Sequence, residues 1–450
     1  VSIKISIIGA GSAVFSLSLI RDICLTPNLR DSVVSLMDVD RARLDNAHTL
    51  CTRYAEEVGI KLRVEKTGDR RESLRGAQFV INTALAAGPG WRRLQDGWRI
   101  AFRHGYHFGG SLHIVHDEAF WINYYQLELM EAVLRDVLEL CPQAWYVLVA
   151  NPVLAGVTYL SRKYAGAKIV GMCHGYGGIY ELADLLGLEH EKISFEIPGV
   201  NHFVWLTRFE HEGRDAYPLL DRWIEEKSAA YFRRCPYSHY AGPKVIDLYR
   251  RFGVVPIGDT GNPGGGSWGY WYHRDRRTER RWNEDPLRWF NRYFTDGLRT
   301  VAAIERVAND RGRRVTEAFP GRSEEPMVPL IEALACDVER TVIVNTLNTG
   351  PFVEGVPRDF EVEVPATVNA RGIFGQKTRR LPESVLAFLV RDRIVPVETE
   401  LRAYETGRRE HLLDLILMDP WTRDGDQGRR LLEDVLALPY HDAMRRHYRP

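Results

Sequence analysis

Through the first 200 positions, short β-branched runs alternate with stretches in which apolar residues recur at helical spacing. Residues 3–8, 33–37, 79–84, 145–150 and 167–172 read as buried strands, because apolar residues fill most positions instead of every second one. Phe15, Leu19, Ile20 and Ile23 mark a helix after the first run, and further helices are expected over 120–140 and 179–186. Strand and helix in alternation predict an α/β fold, a Rossmann-like doubly wound parallel sheet. Near residue 200 the alternation stops, and aromatic-rich and Arg-rich helices with meandering strands follow. The expected division is a nucleotide-binding domain over 1–200 and a second α+β domain over 201–450 packed closely on it. In the second part, 341–345 and 362–365 read as antiparallel strands, and the polar stretch 309–322 as a loose connection.

The first strand ends in Gly9-Ala10-Gly11-Ser12, directly before a helix. That order places free backbone N–H groups where a pyrophosphate can sit, although Val14 stands where the usual fingerprint has a third glycine. The second strand ends in Asp38-Val39-Asp40. An acid at that tip can accept from the ribose hydroxyls of NAD, or it can cap the helix that starts near Arg41. Asn82 and Asn151 stand at the ends of two more strands, where open sheets bind ligands; both are also good turn formers.

Composition narrows the partners. Sixty Lys and Arg balance 60 Asp and Glu, which argues against nucleic acid or an anionic membrane, and the Arg run 274–281 reads as solvated helix surface. Six scattered cysteines without paired spacing read as free thiols, and the chain enters a strand with no leader pattern, so a reducing cytoplasm is expected. No apolar run approaches the roughly 20 residues of a spanning helix.

The stretch with most chemistry is Met172-Cys173-His174-Gly175-Tyr176, followed by Asn201-His202. A thiolate and an imidazole are the pair that a soft-to-borderline divalent metal selects, although a buried Cys or a core His is commonly structural. The His-, Gly- and aromatic-rich stretch from His104 through His116-Asp117-Glu118 reads as a loop over a polar pocket. Asp259, between Gly258 and Thr260, is an acid on a flexible loop that could be a turn residue. Trp268, Trp271, Tyr272 and His273 could offer flat surfaces to a sugar or could be core.

Taken together, Ile7-Ile8-Gly9-Ala10-Gly11-Ser12-Ala13-Val14-Phe15, Met37-Asp38-Val39-Asp40, Ala150-Asn151-Pro152, Cys173-His174-Gly175, Gly199-Val200-Asn201-His202, Pro256-Ile257-Gly258-Asp259-Thr260 and Ala437-Leu438-Pro439 resemble glycoside hydrolase family 4, the NAD- and metal-dependent glycosidases. The resemblance implies a cofactor domain like that of lactate and malate dehydrogenases, with NAD bound by Gly9, Gly11, Ser12, Asp38, Asn82 and Asn151. It implies Cys173 and His202 as ligands of Mn(2+) or another divalent metal. His174 matches the group that protonates the leaving oxygen, Asp259 the base, and Asp117 an acid near the substrate; Asn151 and Asn201 would contact the sugar. The implied reaction is oxidation at C3, deprotonation at C2, elimination and addition of water.

The Cys-His-Gly form resembles the branch acting on unphosphorylated α-glucosides and α-glucuronides, and Arg92, Arg93, Arg99 and Arg103 could hold a uronate or simply solvate a helix. Two stretches depart from relatives: Ser323-Glu324-Glu325-Pro326, and the loop 111–121. The alternative activity is a net NAD-dependent sugar or 2-hydroxy-acid dehydrogenase. Relatives imply a homodimer or homotetramer.

Overall fold

The β-branched runs become strands of one sheet in the computed structural model, which describes residues 2–88, 91–234, 241–266, 268–323 and 325–449. Strands β1 (Lys4–Ile8), β2 (Val33–Met37), β3 (Arg63–Thr67), β4 (Phe79–Asn82), β5 (Trp145–Leu148) and β6 (Ile169–Gly171) pair in parallel, in the order 6-5-4-1-2-3. The chain reverses its direction of winding between β1 and β4, and the carboxyl ends of those two strands open a crevice. Ile5, Ile7, Val34, Leu36, Ile81 and Val147 have no exposed surface, so helices cover both faces, as the continuous apolar runs require.

The second half contributes β7 (Ile193–Glu196), β8 (Gly199–Val200), β9 (Phe203–Leu206), β10 (Arg208–His211), β11 (Arg214–Asp215), β12 (Val255–Ile257), β13 (Arg340–Leu347), β14 (Glu361–Asn369) and β15 (Gly372–Gly375). Strands β7, β10 and β11 form a small separate sheet. The others extend the parallel sheet antiparallel from β6, in the order β13, β14, β8, β9, β12, with β15 on β14, to make twelve strands. The antiparallel pair expected at 341–345 and 362–365 is β13 with β14, paired from Arg340 opposite Val368 to Leu347 opposite Glu361.

Register places the chemistry. Gly171, Asn345, Glu363, Gly199, Val204 and Ile257 lie opposite one another in a single row across β6, β13, β14, β8, β9 and β12. Cys173 follows β6, Asn201 and His202 follow β8, and Asp259 follows β12. Cys173 and Asp259, 86 positions apart in sequence, therefore emerge at the same end of the sheet.

In the second half one expectation needs correction and one open choice is decided. The stretch 309–322 is not loose: Arg53 donates to the carbonyl of Arg313, and the Glu57 carboxylate accepts from the N–H groups of Val315 and Thr316 at 2.9 Å. Its polar residues are fastened to the helix Arg41–Val58. Trp268 and Tyr272 are core side chains, packed with Phe203, Trp205, Phe252 and Trp282, and His273 is buried against Glu284. The Arg run lies on the helix Arg276–Trp282, capped by Asp275. Cys24, Cys51, Cys141, Cys173 and Cys336 are free, and Cys235 lies outside the described residues. Among the described residues no helix is long and apolar enough to cross a membrane.

Candidate active site

His202 turns out of β8 at φ +61, a left-handed conformation that a non-glycine residue adopts only when its surroundings hold it. What holds it is Arg393. That guanidinium, with no exposed surface, donates to the carbonyls of His202 at 3.1 Å, Gly265 at 2.9 Å and Gly266 at 3.2 Å. The backbone of His202 is thereby tied to the glycine-rich loop that follows Asp259.

The imidazole lies between two carboxylates, Nδ1 at 2.6 Å from Glu118 Oε1 and Nε2 at 3.2 Å from Asp259 Oδ2. Burial alone would push it down, but Asp259 and Glu118 overcome that and raise it well above its ordinary value. Glu118, for its part, is raised by burial and lowered further by His202, with a net shift downward. Beside it, His116 Nδ1 lies 2.6 Å from Asp117 Oδ1, and Asp117 also bonds to Asn151. His116, Asp117 and Glu118 bring their donor atoms within 4.8 Å of one another.

Cys173 hydrogen-bonds with His202, and its sulfur accepts from the N–H of Gly175 at 3.4 Å. Burial and Glu363 push its thiol up while His202 pulls the other way. Gly258, at φ +58, packs on that loop so closely that a Cβ would lie 2.6 Å from the Gly175 carbonyl oxygen. The loop after β6 and the loop after β12 are thus in contact, and Asp259, which accepts from the Asn262 amide, is set next to the thiol and the imidazole. His174 is exposed, its ring edge-on to Tyr176 at 5.8 Å.

Asn201 is not at the surface of this pocket. It is fully buried, its N–H donating to Glu361 at 3.1 Å and its amide to Glu363 at 2.9 Å. Asn345, with its amide turned to donate, reaches Glu361 Oε1 at 2.8 Å. Burial raises Glu363 to about 7, and burial with the neighbouring Glu363 raises Glu361 well above the carboxylate range. Asn201 thus ties this buried pair of carboxyls to the turn that carries His202.

At the crevice, Gly9 has φ +88 and a Cβ there would lie 2.5 Å from the backbone of Ala84, so only glycine allows the turn. The Gly11 N–H donates to Asp38 Oδ2 at 2.7 Å. The helix cap near Arg41 is Asp40, which accepts from the Arg43 N–H, so Asp38 is left to the turn and the crevice. Ser12 precedes the helix Ala13–Cys24 without using its side chain as a cap. Asn82 is turned inward: fully buried, it donates to the Tyr146 hydroxyl at 2.7 Å and accepts from the Ala84 N–H at 3.1 Å, which is the turn-forming reading.

The donor set fits a divalent cation. Glu118 occupies Nδ1 of His202, which leaves Nε2 as the nitrogen able to bind a metal, beside the Cys173 sulfur and among acids whose strongest positive partners are imidazoles. The Gly9 to Ser12 turn with Asp38 fits a dinucleotide in the same way.

Comparison with known proteins decides the family. The Family 4 glycosyl hydrolase profile matches residues 4–188, and that of the Family 4 glycosyl hydrolase C-terminal domain matches 197–422. The chain belongs to glycosyl hydrolase family 4. Among family 4 relatives, an α-galactosidase of Bacillus subtilis is 25% identical over 97% of this chain and 96% of its own length. An α-glucosidase of Erwinia rhapontici is 25% identical over 92% and 93%, and an α-galacturonidase of Lachnoclostridium phytofermentans 23% over 96% and 95%. A 6-phospho-α-glucosidase from gut microorganisms, solved in complex with NAD and Mn2+, superposes with a TM-score of 0.76 at 18% identity, covering 97% of this chain and 98% of its own. Malate dehydrogenase of Cryptosporidium parvum superposes at 0.51 and 14% identity, covering 90% and 99%. The fold is therefore the dehydrogenase-like one, carried by a family 4 glycosidase.

Sequence reasoning brought together Cys173, His202, Asp259, Asp117 and Asn151, and it missed Glu118, Arg393, Glu361 and Glu363 as parts of the site. The signal for Glu118 was present in the His-Asp-Glu run. Glu361 and Glu363 gave no such signal, since Glu-Val-Glu-Val alternation reads as a solvated strand face, whereas β14 is buried on both faces.

Proposed function

We propose that this family 4 enzyme hydrolyses neutral, unphosphorylated α-hexosides, glucosides or galactosides, with NAD and a divalent metal such as Mn(2+). The reading rests on one observation, the convergence of Cys173, His202 and Asp259 at the end of the sheet whose other half carries the Gly9 to Ser12 turn. Gly9, Gly11, Ser12 and Asp38 would hold NAD, which would supply reversible hydride acceptance at C3, and Cys173 and His202 would hold the metal, which would supply positive charge beside the C2 proton. Glu118 fixes the imidazole so that Nε2 faces the metal position. Asp259 removes the C2 proton, and the exposed His174 gives a proton to the departing oxygen. Asp117, bonded to His116 and Asn151, orients sugar hydroxyls.

Charge supports the neutral substrate over a uronide. Arg92 and Arg99 pair with Asp96, Arg93 lies over the Tyr125 ring at 4.7 Å, and Arg103 is exposed at the end of the same helix. Among the described residues none of these four guanidiniums pairs with Asp117, Glu118 or Asp259, and Arg393 is committed to backbone carbonyls, so a carboxylate on the sugar would meet those three acids. The test is turnover of 4-nitrophenyl α-glucoside, α-galactoside, α-glucuronide and α-galacturonide by protein supplied with NAD, Mn(2+) and reductant. Release from a neutral hexoside at constant total NAD is expected. Preference for a uronide would overturn the substrate class, and stoichiometric NADH would instead indicate a dehydrogenase.

A further inference from the structure

The flat aromatic surface of the pocket is on an element that the motifs do not touch, the helix Pro286–Asn309. Trp289 and Tyr293 stand one turn apart on one face of it, their rings 5.6 Å apart and within 6° of parallel. Trp289 rests on Gly264, where a Cβ would lie 2.4 Å from the indole, and the Gly264 N–H donates to the Asn262 side chain, whose amide bonds Asp259. Indole, glycine loop and Asp259 are thus joined by contact and hydrogen bonds. The helix is fixed from behind by Phe290 and Phe294, packed edge-on to Trp98 at 5.5 and 5.4 Å.

Tyr293 remains 49% exposed, yet its hydroxyl lies close enough to Asp117, Asp259 and His202 to feel their charges. A large ring left open to solvent beside three polar groups of a catalytic pocket is well suited to a ligand with one apolar face and a polar rim. A pyranose has that shape: its axial C–H bonds form an apolar face and its hydroxyls ring the edge. Burial of the phenol, and after it Asp117 and Asp259, favour the protonated form, so the hydroxyl can donate.

We infer that Trp289 and Tyr293 form the wall on which the sugar ring being cleaved stacks, with the Tyr293 hydroxyl donating to a ring hydroxyl near Asp259. This rests on the glycosidase reading above. The wall is assigned to the sugar side and not the leaving-group side because Trp289 rests on the glycine loop that is hydrogen-bonded through Asn262 to Asp259, the base that acts on the sugar.

The experiment compares wild type, Tyr293→Phe, Tyr293→Leu and Trp289→Leu, each loaded with NAD and Mn(2+), on the 4-nitrophenyl and the methyl α-glycoside of the hexose that wild type prefers. Unchanged NAD affinity checks the fold of each variant. For Tyr293→Leu and Trp289→Leu, KM should rise roughly tenfold on both glycosides with kcat changed less than about threefold, and Tyr293→Phe should lie between them and wild type. An unchanged KM, or a rise confined to the nitrophenyl glycoside, overturns the assignment. If wild type cleaves none of the panel, the glycosidase reading fails by itself, and the wall is then judged by calorimetric binding of D-glucose and D-galactose. Weaker binding by Tyr293→Leu upholds it; equal binding, or none by wild type, overturns it.

Discussion

A histidine wedged between two carboxylates, as His202 is between Glu118 and Asp259, holds a proton more tightly than one in water. A cation that binds Nε2 must displace that proton, and Glu118 then keeps Nδ1 as the donor nitrogen. Exchanging Glu118 for Gln removes the charge but keeps the shape. Glu118→Gln is therefore expected to weaken Mn(2+) affinity roughly 10- to 100-fold, read from metal titration of activity and from calorimetry, with NAD affinity unchanged. Unaltered metal affinity would remove Glu118 from its positioning role. Cys173→Ser should lose metal-dependent turnover while still binding NAD, and full activity in that variant would refute the sulfur as a ligand.

Elements meet at two places where single atoms decide the fit. Between the loops after β6 and β12, Gly258 lies against Gly175 with no room for a methyl group. Gly258→Ala should push the two loops apart and lower kcat at least about tenfold, with a smaller change in the melting temperature, because the strain falls on a loop and not on the core. Between the helices Phe120–Leu140 and Val153–Lys163, Glu131 accepts from Tyr159 at 2.9 Å and pairs with Lys163 at 2.8 Å. Burial raises this acid, but Lys163 and its other hydrogen-bond partners bring it down to about 2. A depressed carboxyl contributes stability that is present above its ordinary value and lost as pH falls toward the folded one. On the order of 2 kcal/mol should disappear between about pH 4.5 and pH 2. Urea unfolding across that range should show a loss larger by about that amount in wild type than in Glu131→Gln, since other depressed acids such as Asp117 titrate in both; parallel curves would contradict it.

At the scale of the whole molecule, the parallel half was legible because its strands are buried on both faces and punctuated by glycine turns, as at Gly9 and Gly11. The site was legible only in part. Cys173, His202 and Asp259 carry distinctive chemistry, but the row from Gly171 to Ile257 that joins them is a matter of strand register, which no local pattern records. For the same reason the burial of Glu361 and Glu363 was not legible in their strand, the choice between core and sugar surface at Trp268 and Tyr272 stayed open until the structure showed them as core, and Tyr293 went unremarked. Long-range pairing decides burial there, and burial decides role.

The account turns on Asp259 taking a proton from C2 of a sugar beside Cys173 and His202. The most direct measurement is mass spectrometry or proton NMR of the hexose released from its α-glycoside in deuterated water, with NAD, Mn(2+) and reductant present. One deuterium at C2 with total NAD constant is predicted for wild type, and none is predicted to exchange in Asp259→Asn. Sugar released without deuterium at C2, or exchange undiminished in Asp259→Asn, would contradict it.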